Sequence, residues 1–334
     1  MLDQSNQKPL IEWRDVAATV ADFMVTERLP DSFLSTVQRF YFPLAQSIVR
    51  DTTLVQLTND DRHRTRLIGI NGAQGTGKST LSALLKRIIQ IGTGLNCALV
   101  SIDDVYLTLS QRQELARTIH PLLQTRGVPG THDMTLALGI FEQMLQAQSP
   151  ESDVLLPGFN KAIDDRKPIS DWITQPTPID IILFEGWCIA AKPQPEEDLI
   201  TPINALEANE DTHGIWRNYV NYCLATKYQT LFAQLDCLIM LKAPSMEAVM
   251  EWRWLQEQKL MTNTEKSLNT THSKIMNHEQ VMRFIQHYER LTRHMLNEMP
   301  QRADLVFHLN HDHQIDSVSG PWAQGLTDAS LEAQ

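Results

Sequence analysis

Five short apolar segments alternate along the chain with stretches whose apolar residues recur at helical spacing. The segments are residues 67–71, 97–102, 179–184, 235–241 and 303–309. Strands of this kind that alternate with helices form a parallel sheet covered by helices on both faces. The pattern therefore predicts an α/β fold built on a five-stranded parallel sheet.

The first 62 residues have a helical pattern instead. Six apolar residues fall on one face at helical spacing: Phe33, Val37, Phe40, Tyr41, Leu44 and Ile48. Pro43 is expected to kink or break this helix, because proline has no backbone N–H to donate. We predict that residues 1–62 form a helical extension packed on a main domain of residues 63–315.

Three stretches interrupt the regular pattern. Residues 193–211 are acidic and contain prolines, which predicts a surface excursion. Residues 261–278 are rich in Thr, Asn, Ser and Lys, which suits a mobile loop within a lid region spanning 245–280. The tail at 316–334 has little apolar patterning, and we expect it to be loosely ordered.

Composition narrows the classes of protein that fit. The 334 residues are 42% hydrophobic and 21% charged, as in a globular protein, and the net charge of −11 disfavours a nucleic-acid partner. The N-terminal residues do not resemble a secretory signal peptide, which has an apolar core flanked by basic residues. No apolar run approaches the ~18 residues that span a bilayer. The four cysteines have no C-x-x-C spacing, as in reduced proteins. We expect a cytoplasmic protein that contacts neither membrane nor nucleic acid.

A glycine-rich turn links the first strand to a helix. It reads GAQGTGKS at residues 72–79 and fits G-x-x-x-x-G-K-[ST], the P-loop pattern. Its glycines let successive N–H groups face one anion, and the helix N-terminus adds partial positive charge. Lys78 is expected to reach the β- and γ-phosphates, and the Ser79 hydroxyl to bind Mg²⁺. The predicted nucleotide-binding residues are Gly72, Ala73, Gln74, Gly75, Thr76, Gly77, Lys78, Ser79 and Thr80.

Acidic residues follow the next two strands. Asp103 and Asp104 end the second strand, at the sheet edge where ligands bind in such folds. A carboxylate there can accept a proton from an attacking hydroxyl or help to hold a metal, but it can equally cap the next helix. Glu185 follows the third strand, where an acid can orient Mg²⁺.

Two other nucleotide-binding classes fit less well. A motor ATPase usually pairs the acid at Glu185 with a second acid, and Gly186 stands there instead. A GTPase needs an Asn-Lys-x-Asp motif to read the base, and the nearest stretch, at residues 160–164, is one residue too long.

A long insertion separates the second and third strands. Residues 107–178 far exceed what a crossover helix needs, and they lie at the ligand edge, where an acceptor site would be built. The stretches RGVPGTHD at 126–133 and LPGFNKAIDDRKP at 156–168 combine turn formers with charged residues. Both are also compatible with solvated surface turns.

The fourth strand leads into another helix with two possible interpretations. Arg253 could form a surface pair with Glu257 one turn later, or it could reach a transferring phosphoryl group from a lid. Three histidines near the last strand, at 308, 311 and 313, have no partner acid or cysteine, which favours a polar loop over a metal site.

With these motifs, the sequence resembles the glycerate 3-kinase family of P-loop small-molecule kinases, which is related to phosphoribulokinase, uridine kinase and pantothenate kinase. The motifs are GAQGTGKST at 72–80, SIDDVY at 101–106, RGVPGTHD at 126–133, FEGW at 184–187 and WRWLQEQ at 252–258. The resemblance implies a P-loop NTPase-type sheet and transfer of the ATP γ-phosphoryl to a hydroxyl of D-glycerate, giving 3-phosphoglycerate.

The resemblance also implies roles for single residues. Asp103 corresponds to the catalytic base, Lys78 and Ser79 to the ligands of phosphate and Mg²⁺, Arg253 to the lid arginine, and Glu185 to the acid near the metal. The residues expected on the acceptor side are Asp103, Tyr106, Arg126, His132, Asp133, Lys161 and Arg166. One departure stands out. Gly158 and Asn160 occupy the places of Arg and Asp in the family's P-R-[FY]-D-K pattern, which bears on the identity of the acceptor.

Two other functions stay open at this point. A kinase of the same architecture could act on a pentulose, pantothenate or a nucleoside. A regulatory protein could hydrolyse ATP slowly and act through a partner. The sequence does not predict an oligomeric state.

Overall fold

The computed structural model describes residues 11–58, 64–147, 149, 153–265 and 276–326. Its strands are β1 (Arg66–Gly72), β2 (Cys97–Ser101), β3 (Val154–Leu156), β4 (Phe159–Asn160), β5 (Asp165–Arg166), β6 (Ile173–Gln175), β7 (Ile181–Gly186), β8 (Cys237–Lys242), β9 (Leu305–Leu309) and β10 (Ile315–Ser319). Its α-helices are α1 (Trp13–Thr26), α2 (Phe33–Thr36), α3 (Phe42–Thr58), α4 (Lys78–Thr93), α5 (Leu109–Thr118), α6 (Met134–Gln146), α7 (Ala205–Glu210), α8 (Ile215–Cys223), α9 (Gln229–Phe232), α10 (Met246–Glu265) and α11 (His278–Glu298).

The central sheet has the strand order β10-β9-β8-β1-β7-β2. All five predicted strands are present and pair in parallel, with β1 between β7 and β8. The α/β class and the parallel sheet are therefore confirmed. The strands of this sheet form because their apolar side chains are buried under helices on both faces.

A sixth strand, β10, extends the sheet at one edge. It runs antiparallel to β9, with Ile315 opposite Leu309 and an irregularity between Ile315 and Ser317. The prediction of a loosely ordered tail from residue 316 is therefore wrong for residues 316–319, and Leu326 is also buried. Residues 327–334 lie outside the described part of the chain.

The helices near the N-terminus cover one face of the sheet together with α4. Phe40 and Tyr41 contact Phe307 of β9 edge-on, with ring centroids 6.1 and 6.3 Å apart. Pro43 does not end the helix. A π-helical turn at Val37–Tyr41 precedes it and leads directly into α3, which accommodates a residue that cannot donate a backbone hydrogen bond. Residues 1–10 and 59–63 are not described, and the domain boundaries stay a prediction.

The opposite face of the sheet is covered by α6, α8, α9 and α11. Residues 193–211, predicted as a surface excursion, include α7 and bury Leu199, Leu206 and Glu207. Glu207 is completely buried and pairs with Arg290 of α11 at 2.6 Å. This segment therefore lies mostly at the surface, as predicted, and four buried residues anchor it to the core: Leu199, Leu206, Glu207 and Asp211.

The insertion between β2 and β7 contains α5, α6 and two small antiparallel sheets. One pairs β3 with β6, and the other is the β4–β5 hairpin. In the lid region, α10 continues to Glu265 and α11 begins after Asn277, whose side chain forms a capping box with Gln280. Residues 266–275, within the predicted mobile loop, are not described.

Within the described residues, no helix is both long and apolar enough to cross a bilayer. The four cysteines are unpaired, as expected, and Cys97, Cys188 and Cys237 are buried.

Candidate active site

A cleft of about 610 Å³ opens at the carboxyl edge of the sheet, where β1, β2 and β7 end. The P-loop, the turn after β2, the insertion, α10 and α11 all contribute to its walls. The lining residues include Lys78, Ser79, Asp103, Tyr106, Arg126, Lys161, Glu185, Arg253, Phe284 and Tyr288. Parallel strands bring these distant parts of the sequence together because their carboxyl ends share one edge.

The P-loop connects β1 to α4 by a tight turn. Gly75 and Gly77 have φ angles of 84° and 86°, a region that favours glycine. A Cβ atom at Gly75 would lie 2.7 Å from the Cβ atom of Trp252, so α10 packs directly on the loop. Of the predicted nucleotide-binding residues, Gln74, Gly75, Lys78 and Ser79 line the cleft.

Two of the three histidines near β9 contact α10, and the third contacts β10. The Trp252 indole donates to the His311 carbonyl at 2.9 Å and stacks on His313 at 4.2 Å. His308 contacts the Ser319 hydroxyl at 2.8 Å. No group of three potential metal ligands occurs among the described residues. The predicted polar loop is consistent with these contacts.

Glu185 and Ser79 present oxygen atoms to the base of the cleft. The Ser79 hydroxyl donates to Glu185 Oε1 at 3.2 Å. Glu185 is 6% exposed, and its other oxygen, Oε2, is buried without a hydrogen-bond partner. A buried carboxylate oxygen without a partner is costly unless something compensates it. A hydroxyl and a carboxylate beside the P-loop are the oxygen donors that Mg²⁺ prefers, so these residues fit that ion.

Asp103 lines the same cleft as Lys78. It follows Ser101, whose hydroxyl accepts from the Asp103 N–H at 3.3 Å and so starts a short 3₁₀ turn. The Tyr106 hydroxyl donates to Asp103 Oδ1 at 2.9 Å, and the Lys161 ammonium donates to Oδ2 at 2.6 Å. Burial alone would raise the pKa of Asp103, but the charges of Lys161 and Lys78 and these hydrogen bonds lower it to about 2. The carboxylate is therefore ionised at neutral pH.

Asp104, the second acid of this turn, has a different role. Its Oδ1 accepts from the Phe159 N–H at 3.3 Å, and burial raises its pKa to about 6. Helix α5 is capped by Thr108 through the Gln111 N–H at 3.3 Å, so neither aspartate caps it. The capping interpretation of the two acids is therefore wrong for α5.

The β4–β5 hairpin carries Lys161 into the cleft. Its turn residue Asp164 has a φ angle of 58° and is bound by two arginines. Arg112, which is completely buried, donates to the Asp164 carbonyl at 2.6 Å and to Oδ2 at 3.1 Å, and Arg126 pairs with Oδ1. Both guanidinium groups also lie over the Phe159 ring, at 5.9 and 5.5 Å. These contacts hold the turn of the hairpin in place.

Three of the predicted acceptor-side residues lie behind the cleft wall instead of lining it. His132 stacks on Tyr106 at 4.4 Å and contacts the Tyr228 hydroxyl at 2.7 Å, and burial lowers its pKa to about 3, so it is neutral. Asp133 caps α6 through the Leu136 N–H at 3.0 Å. Arg166 pairs with Asp133 at 3.0 Å and donates to the Tyr106 carbonyl at 2.8 Å. Their contacts hold Tyr106 in place.

Arg253 of α10 lines the cleft and also pairs with Glu257 at 2.8 Å. The two interpretations of Arg253 are therefore not exclusive. The pair is not a surface pair, because the Glu257 side chain is 3% exposed. The other Glu257 oxygen, Oε1, accepts from the Met276 N–H at 2.8 Å, which connects α10 to the start of α11.

Several residues of the site were not identified from the sequence. Phe284 and Tyr288 of α11 line the cleft, and the Tyr288 hydroxyl donates to the Arg126 carbonyl at 3.1 Å. Trp187 donates to the Gly127 carbonyl at 2.9 Å and so holds the same loop. The contribution of α11 was not recognisable, because its apolar stripe indicates burial and its capping box indicates a helix start, and neither indicates a binding site.

Comparisons with known proteins bear on the fold and on the family. No family model matches the chain. An uncharacterized kinase of Schizosaccharomyces pombe is 31% identical over 237 residues, which cover 66% of this chain and 78% of the relative. The chloroplastic D-glycerate 3-kinase of Arabidopsis thaliana is 29% identical over 193 residues, covering 56% of this chain but only 40% of that protein.

A solved structure shares the fold. The D-glycerate 3-kinase of Cryptococcus neoformans superposes with a TM-score of 0.67 at 22% identity, covering 83% of this chain and 98% of its own. The match supports the P-loop kinase fold. With the motifs described above and the relative from S. pombe, we conclude that the chain belongs to the glycerate 3-kinase family of P-loop small-molecule kinases and is a phosphotransferase.

Proposed function

We propose that this enzyme transfers the γ-phosphoryl group of ATP to a hydroxyl of D-glycerate, giving 3-phosphoglycerate. The observation that carries the proposal is that two cationic side chains, Arg126 and Lys161, line the same cleft as Asp103 and the P-loop. A guanidinium and an ammonium group beside a candidate base suit an acceptor that carries both a carboxylate and a hydroxyl. Two of the similar proteins are named D-glycerate 3-kinases.

The donor half of the cleft is assigned to ATP and Mg²⁺. The P-loop N–H groups and Lys78 bind the β- and γ-phosphates. Ser79 and Glu185 would hold Mg²⁺, in keeping with the buried Glu185 oxygen that has no partner. A bound Mg²⁺ would neutralise part of the negative charge on the ATP phosphates.

The acceptor half is assigned to glycerate. Asp103 accepts the proton of the attacking hydroxyl while the new O–P bond forms and the bond from the γ-phosphorus to the bridging oxygen of ADP breaks. Lys78 and Arg253 offset the charge that develops on the transferring group. Arg126 and Lys161 bind the acceptor carboxylate.

The other acceptor-side residues receive narrower roles. Tyr106 orients Asp103 through its 2.9 Å hydrogen bond. His132, Asp133 and Arg166 act through Tyr106 and do not touch the acceptor. Asn160, which stands in place of the family's Asp, accepts from the Ala162 N–H at 3.0 Å and so shapes the hairpin turn.

An acceptor panel tests the proposal. ADP release is measured with D-glycerate, glycerol, a pentulose, pantothenate and uridine. We expect D-glycerate to give the highest kcat/KM, and glycerol to be poor because it has no carboxylate for Arg126 and Lys161. Preferential phosphorylation of uridine, pantothenate or a pentulose would overturn the choice of acceptor. ADP release that no acceptor stimulates would favour a regulatory ATPase instead.

A further inference from the structure

Asp103 is not free in this structure. Both of its oxygens are engaged, Oδ1 by the Tyr106 hydroxyl at 2.9 Å and Oδ2 by the Lys161 ammonium at 2.6 Å. The Tyr106 contact is part of the buried wall, because Tyr106 is only 3% exposed. The Lys161 contact comes from the open side of the cleft, since the Lys161 side chain is 60% exposed. The Asp103 oxygen on the open side of the cleft is therefore covered by a lysine.

This lysine can move without any change in the fold. The hairpin that carries it is fixed at two places: Arg112 and Arg126 bind Asp164 in its turn, and Asp104 binds the Phe159 N–H in β4. The flexible side chain of Lys161 extends from this hairpin to Asp103. A half-exposed lysine can exchange one carboxylate partner for another at little cost, because the net energy of such a pair is small.

We propose that Lys161 masks Asp103 while the acceptor site is empty, and that the carboxylate of the acceptor draws the ammonium away and so exposes the base. The identity of the acceptor rests on the function proposed above. One side chain then links recognition of an acid to activation of Asp103. Water and neutral alcohols leave the mask in place, which limits wasteful hydrolysis of ATP and selects for acidic acceptors.

The electrostatics of the cleft agree with this arrangement. The charges of Lys161 and Lys78 and the Tyr106 hydroxyl act on Asp103, and the acid Asp104 lies next to it in the chain. The Lys161 charge is the largest influence that lowers the pKa of Asp103 against the effect of burial. A carboxylate held at so low a pKa is a weak base. Moving the ammonium away raises the proton affinity of Asp103 at the moment when a hydroxyl is in place.

The first test uses hydrolysis of ATP by water, which needs no assumption about the acceptor. Without any acceptor, K161M is expected to release inorganic phosphate roughly two- to tenfold faster than the wild type, because the pKa of Asp103 rises when the Lys161 charge is removed and a stronger base accepts a proton more readily. The double variant D103N/K161M should lose this gain, because the gain requires Asp103. K167M changes a lysine of the same hairpin that does not line the cleft, and it should hydrolyse ATP at the wild-type rate.

The second test uses D-lactate, which has the carboxylate of glycerate but no hydroxyl at carbon 3. D-lactate should stimulate release of inorganic phosphate by the wild type and by K167M, but not by K161M. Glycerol should stimulate none of them. K161Q repeats both tests with a polar side chain, in case K161M does not fold.

The outcomes separate this proposal from the proposed function. If hydrolysis without acceptor is equal in K161M, K161Q and the wild type, Lys161 does not mask the base, even where KM for D-glycerate rises. If K161M gains hydrolysis through Asp103 but the wild type does not phosphorylate D-glycerate, the mask stands and the choice of acceptor fails.

Discussion

Replacing Asp103 by Asn is expected to lower turnover by ~10²–10⁴-fold, the usual contribution of a general base. The amide has almost the same shape and can still accept a hydrogen bond from Tyr106, but it cannot take the proton of the attacking hydroxyl. ATP binding should be largely unchanged, because the P-loop contacts do not include Asp103. Initial rates with D-glycerate and the dissociation constant of ATP, measured by calorimetry, check both parts.

The neighbouring acid provides the matched control. Asp104→Asn keeps an oxygen that can accept from the Phe159 N–H, a bond of 3.3 Å in this structure. We expect this variant to lose less than about tenfold in turnover, in keeping with the ~1 kcal/mol of one hydrogen bond. If D103N retained wild-type turnover, or if D104N were the more damaged variant, Asp103 would not be the base.

Replacing Glu207 by Ala is expected to destabilise the protein by about 3–5 kcal/mol, the cost of removing one partner from a buried ion pair. Glu207 is completely buried and binds Arg290 through two hydrogen bonds, at 2.7 and 2.6 Å. Arg290 would keep its contacts to the carbonyls of Asp198 and Thr201 but would be left with an uncompensated charge. Urea unfolding followed by circular dichroism measures the loss.

The same two helices offer a control for this change. Glu210 of α7 pairs with Arg283 of α11 at 2.6 Å, but both side chains are about half exposed. Glu210→Ala should therefore cost no more than about 1 kcal/mol. If both variants lost the same free energy of unfolding, burial of the Glu207–Arg290 pair would not add to the stability of the protein. Because α11 also carries Phe284 and Tyr288 into the cleft, E207A should raise KM as well.

The sequence predicts much of the fold because its signals are local. The strands of the parallel sheet are short apolar runs, and the P-loop pattern fixes a strand, a turn and a helix within some twenty residues. Strand β10 has no such signal. Ile315 and Val318 are its only apolar residues, and they do not alternate as in a regular strand. Its pairing with β9 at the edge of the sheet is irregular between Ile315 and Ser317. Its existence depends on β9 lying beside it.

The candidate site is predictable only where a motif marks it. Lys78, Ser79, Asp103 and Glu185 each lie at the end of a strand or in a known pattern. Arg112 and Arg126 bind Asp164 although they lie 52 and 38 positions before it in the chain. No periodicity in the sequence indicates these contacts. For the same reason the sequence could not distinguish the residues that line the cleft from those behind its wall. Arg126 lines the cleft, whereas His132 and Asp133, six and seven residues later, lie behind the wall.

The position of Lys161 explains how the acceptor half of the cleft would limit hydrolysis of ATP by water. A carboxylate base in a pocket that also holds ATP is exposed to water as a competing acceptor. An ammonium group that covers the base and responds to a second carboxylate limits that side reaction with residues already required for binding. The contacts of Arg112 and Arg126 with Asp164, and of Asp104 with Phe159, hold the hairpin so that Lys161 stays within reach of Asp103.

The most direct measurement of the central claim is a ³¹P NMR spectrum of the purified protein with ATP, Mg²⁺ and D-glycerate. We predict a growing phosphomonoester signal that coincides with added 3-phosphoglycerate, at a rate equal to the loss of the γ-phosphate signal of ATP. The spectrum of D103N should show almost none of it over the same time. Growth of inorganic phosphate alone, at the same rate with and without D-glycerate, would contradict the assignment of this protein as a glycerate kinase.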